Sequence, residues 1–154
     1  MAAFLTERHG VPPEEARVRA ALAGGSPGAA LAFESEAYGR MREGLIDLLE
    51  RVEGLDPMAR MEAAEALEQS EDPALLLATL RSLLRDVAAL RVGAKAEALV
   101  HPDAAERLAP LASGRLGERA TLLAERAGEA RFALRGFANK LLTFDLLVDT
   151  LAGD

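Results

Sequence analysis

"EDPALLLATLRSLLRDVAALRV", Glu71 to Val92, decides the class of the fold. Asp72 stands where a helix N-cap belongs, and Pro73 takes the first helical position, where a missing N–H costs nothing. Leu76, Leu80, Leu83, Leu84, Val87 and Leu90 then recur at three- and four-residue spacing and form a broad apolar face. Gly93 follows as the stop. The rest of the chain has the same character: alanine and leucine dominate, Ile46 is the only isoleucine, and there is no tryptophan. Strands draw on β-branched and aromatic residues, helices on Ala, Leu, Glu and Arg. The expectation is an all-α helical bundle.

Upstream, "LDPMARMEAAEALEQS" repeats the device with Asp56 as cap and Pro57 at the first position. Before it, Met41, Leu45, Leu48, Leu49 and Val52 keep helical spacing, and Gly39 and Gly44 suggest a break or kink ahead of that run. "GVPPEEARVRAALAGG" starts a helix on Pro12 and Pro13, with Glu14 and Glu15 against its positive end. Gly24 or Gly25 closes it, and Ser26 and Pro27 read as N-cap and first residue of the next helix. Ser26→Ala is expected to cost about 1 kcal/mol through the cap alone.

Downstream, "AKAEALVH" reads as an irregular connection, and "HPDAAERLAPLAS" as a short helix that Pro110 bends or ends. The last section, from Gly114, reads as a long helix, a break near Gly136 and a terminal apolar helix.

Composition sets limits on function. A chain of 154 residues buries roughly 70% of the surface its unfolded form exposes and needs no staple. It has no cysteine, so it carries no disulfide framework, thiolate zinc site or oxidising-compartment signal. The net charge is −7, with 18 basic against 25 acidic side chains, and Lys95 and Lys140 are the only lysines. The arginines are interspersed with carboxylates, so direct nucleic-acid binding is not expected. The opening "MAAFLTERHG" is too short and too charged for a signal peptide, and no window approaches membrane-spanning length. A soluble, cytoplasmic protein is expected.

Reactive chemistry is sparse. His9 and His101 read as surface loop histidines without a second imidazole at metal-binding spacing. Glu62 with Glu65, and Glu125 with Glu129, alternate with Arg60, Arg119, Arg126 and Arg131, as solvated helix faces do. "AGGSPGAA" lacks the lysine and the preceding strand of a phosphate-binding loop. No Ser, His and Asp arrangement presents a nucleophile. No catalytic residue, metal or cofactor is therefore expected.

Several stretches carry a resemblance. "HGVPPEEARVRAALAGGSPGAALAF" resembles the end of the lid subdomain of a clamp-loader AAA+ subunit, with its alanine-rich helix, Gly-Ser-x-Gly turn and following helix. "LLRDVAALRVGA", "HPDAAERLAPLA" and "ANKLLTFDLLVDTL" resemble, in order, helices of the C-terminal collar domain of the delta-prime subunits of bacterial DNA polymerase III. The resemblance implies the end of a lid in residues 1–38 and a helical collar in 39–154. In ATP-hydrolysing relatives the turn carries an arginine that reaches nucleotide phosphates; here Gly28 and Ala29 stand at those positions. A noncatalytic oligomerisation domain is implied, which helps load the sliding clamp in DNA replication. Its partners would be the other clamp-loader subunits.

Candidate interface residues are Arg85 and Asp86, and Asn139 and Lys140. An ordinary exposed charge pair is the competing reading of Arg85 and Asp86. Two other functions stay open: a free-standing helical adaptor, and a small-molecule or metal enzyme built in a helix bundle.

Overall fold

Three helix starts form as their side chains dictate. The Asp56 and Asp72 carboxylates each accept the backbone N–H three residues on, Ala59 and Leu75, at 2.9 Å. Asn139 Oδ1 takes the N–H of Leu142 in the same way, also at 2.9 Å. Each bond satisfies one of the orphan donors of a first turn.

The computed structural model describes residues 1–23, 30 and 35–153. Among these, eight α-helices and three short 3-10 turns occur, with no strand. The helices are α1 (Ala2–His9), α2 (Pro13–Leu22), α3 (Ser35–Arg51), α4 (Pro57–Glu68), α5 (Pro73–Arg91), α6 (Ala105–Ser113), α7 (Arg115–Arg135) and α8 (Lys140–Ala152). None is long and apolar enough to cross a membrane. The expected joint at Gly24–Ala29, with the Ser26 cap and Pro27, lies outside the described residues.

Helix α5 is the centre of the molecule. Leu77, Leu80, Leu83, Leu84 and Val87 are fully buried, and each such side chain contributes roughly 1.5–3 kcal/mol of burial. Helix α7 packs along α5, and α2, α3 and α6 cover its remaining sides. Helix α8 closes the bundle between α4 and α7. It lies antiparallel to α4, since Lys140 reaches the Ser70 carbonyl at one end and Arg60 faces Asp149 at the other. The hairpin of α1 and α2 has a small core of its own around Leu5, Ala16 and Ala30. Leu22, Tyr38 and Ala78 join it to the bundle.

The break expected at Gly39 or Gly44 does not occur: α3 runs from Ser35 to Arg51. A Cβ added at either glycine would meet nothing. The buried face of Tyr38, Leu45, Ile46, Leu48 and Leu49 outweighs a propensity cost of about 1 kcal/mol per glycine. The boundary drawn between residues 38 and 39 consequently falls inside one helix. The opening residues, read only as too short for a signal peptide, form α1, which ends on left-handed Gly10 with Arg8 and His9 in its last turn. Pro110, expected to bend or end its helix, sits inside α6, which continues to Ser113.

The α6–α7 corner depends on a glycine for a packing reason. A Cβ on Gly117 would overlap the Ala112 carbonyl and lie 2.7 Å from the Leu111 carbonyl oxygen. Both are backbone atoms and cannot rotate away. Gly117→Ala is expected to lower unfolding stability by about 1–3 kcal/mol despite the better helix propensity of alanine, read from urea midpoints.

Candidate functional site

Helix α5 carries three polar side chains into the interior: Thr79, Ser82 and Asp86. A buried polar group without a partner costs on the order of 1–3 kcal/mol, so each must find one. Thr79 Oγ1 donates to the Leu75 carbonyl at 2.8 Å, and Ser82 Oγ donates to the Thr79 carbonyl at 2.9 Å. The Asp86 carboxylate accepts the backbone N–H groups of Val100 and His101 at 3.0 and 2.9 Å. Asp86 thereby fastens the loop after α5 and drives the His101 ring into the protein.

His101 is fully buried, not a surface loop residue. Its Nε2 lies 2.8 Å from Ser82 Oγ, and its Nδ1 lies 3.4 Å from the Tyr38 hydroxyl. Because the Ser82 proton goes to Thr79, Ser82 accepts from His101 Nε2–H. Nδ1 is then left to accept from Tyr38. This chain of bonds specifies a neutral imidazole. Burial pulls the His101 pKa from 6.5 down to about 4, and the nearby Arg42 guanidinium adds to the effect. Burial likewise pushes the Tyr38 phenol well above its ordinary range. His9, by contrast, ends α1 at the surface, edge-on to Phe4.

Ser82, His101 and Asp86 have the composition of a hydrolytic triad, and the geometry rules out that use. The acid holds backbone rather than the imidazole, the base is too weakly basic, and the serine proton is committed to a carbonyl. The whole cluster is closed to solvent. Burial raises the Asp86 pKa against the lowering by the two N–H donors.

Around this cluster, charged side chains clasp α3 to α6 and its approach. Arg42 grips Asp103 with two bonds, at 3.0 and 2.6 Å. That contact holds Asp103 below the ordinary carboxylate range. Arg107 makes a two-pronged contact with Glu50, at 2.8 and 2.7 Å, and also reaches Glu43 and Asp47. The three carboxylates share one edge of α3 at helical spacing, a pattern present in the sequence that becomes a clasp only when α6 packs alongside. Glu62, Glu65, Glu125 and Glu129 point outward. No group of three metal-ligating side chains occurs among the described residues.

The expected interface residues are dispersed. Arg85 is exposed on α5, whereas its neighbour Asp86 is buried, because adjacent helical positions point about 100° apart. Asn139 caps α8, and Lys140 donates to the Ser70 carbonyl. Three of the four are thus engaged within the chain.

A different surface is left uncovered. Phe132, Phe137, Leu141, Leu142 and Leu146 are all exposed, on the end of α7, the following turn and the outer side of α8. Phe137 is 98% exposed and has φ of 63°. The break near Gly136 is real, yet Gly136 itself has φ of −89°. The left-handed place, which Gly93 takes after α5, falls here to a phenylalanine. In both ends a backbone N–H reaches back five residues, Ala94 to Ala89 and Ala138 to Ala133. The exposed apolar side chains on one helix do not announce themselves in sequence, because α8 is apolar almost all round.

No known family, curated protein or solved structure matches this chain.

Two outcomes follow from these sites. Folded His101 titrates near 4 and unfolded histidine near 6.5, so its contribution is complete above pH 6.5 and is lost as pH falls toward 4. The loss is on the order of 2–3 kcal/mol, and a His101→Gln variant should lack that slope in urea midpoints measured across the window. At the α7 end, Phe137→Gly should raise stability by about 1 kcal/mol by removing the left-handed strain, a gain that thermal melting will show.

Proposed function

We propose that this chain is a noncatalytic helical assembly domain, of the collar kind found in delta-prime clamp-loader subunits. The observation that carries the assembly role is the uncovered apolar surface of Phe132, Phe137, Leu141, Leu142 and Leu146. Isolated exposed apolar residues are ordinary on a soluble protein, but a concentration of large ones marks an interaction surface. The clamp-loader placement rests on the sequence stretches of the lid end and three collar helices, in their proper order.

In this reading the domain holds a ring of cytoplasmic subunits together while ATP-driven changes in its neighbours open the sliding clamp. It contributes no nucleotide chemistry, since Gly28 and Ala29 replace the phosphate-reaching arginine of active relatives. It makes no direct contact with DNA. The unbroken helix α3 across residues 38 and 39 supports a stiff joint between lid end and collar.

A free-standing helical adaptor is the second reading. It is favoured by the engagement of Asp86, Asn139 and Lys140 within the chain itself.

Native mass spectrometry of this chain mixed with the collar domains of the other clamp-loader subunits from the same organism separates the two. A defined mixed complex holding one copy of this chain is the expected result. If the other collars assemble and this chain stays outside, the clamp-loader placement fails and the adaptor reading takes over.

A further inference from the structure

We draw no further inference here: the strongest candidate, the cleft of about 720 Å³ between the end of α2, the start of α3, the Ser70–Asp72 turn and α7, adjoins at Ala23 residues that the structure does not describe, and its Arg131 shares the wall with Glu71 and Asp72, so nothing in the structure shows what would fill it.

Discussion

Helix α5 has to be buried on nearly every side, and most of the molecule follows from that. Its leucines cannot be satisfied by one neighbour, so α7, α6, α3 and α2 each take a share of its circumference. The cost of burying a helix this fully is that its polar positions go inside as well. Thr79 and Ser82 solve this locally by bonding carbonyls of the preceding turn. Asp86 cannot, because a carboxylate accepts only, and the nearby helical N–H groups are already in use.

The loop after α5 is built around that need. Val100 and His101 bring two backbone donors to Asp86, and the turn that does so carries the imidazole between Ser82 and Tyr38. One interior carboxylate thus orders a loop, fixes a tautomer and connects α5 to α3. Outside this dry cluster, Arg42 and Arg107 bind α3 to the segment Pro102–Ser113 through exposed carboxylates. Such surface pairs are screened by salt and worth little each, so they select the register of α3 on α6 more than they stabilise it.

What remains after this internal pairing is an exposed apolar surface. Arg42 and Arg107 occupy the carboxylates of Glu43, Asp47, Glu50 and Asp103, and the buried cluster is sealed. The outer sides of α4 and α8 and the α7 end keep their large apolar side chains in solvent. The assembly role proposed above rests on these exposed side chains.

The all-α class, the caps at Asp56 and Asp72, the Gly93 stop and the buried stripes of α3 and α5 were legible in the sequence. They depend on interactions within a few residues, whose geometry a helix fixes by itself. The sequence also contained Asp86, His101 and the carboxylates at positions 43, 47 and 50, but their roles could not be read there. Asp86 follows exposed Arg85, His101 lies in an irregular loop, and Arg107 meets α3 from more than fifty residues away. Only the packing of helices around α5 decided which polar groups would be enclosed and which apolar ones left out. That choice is set by neighbours distant in the chain, and local propensity carries no record of them.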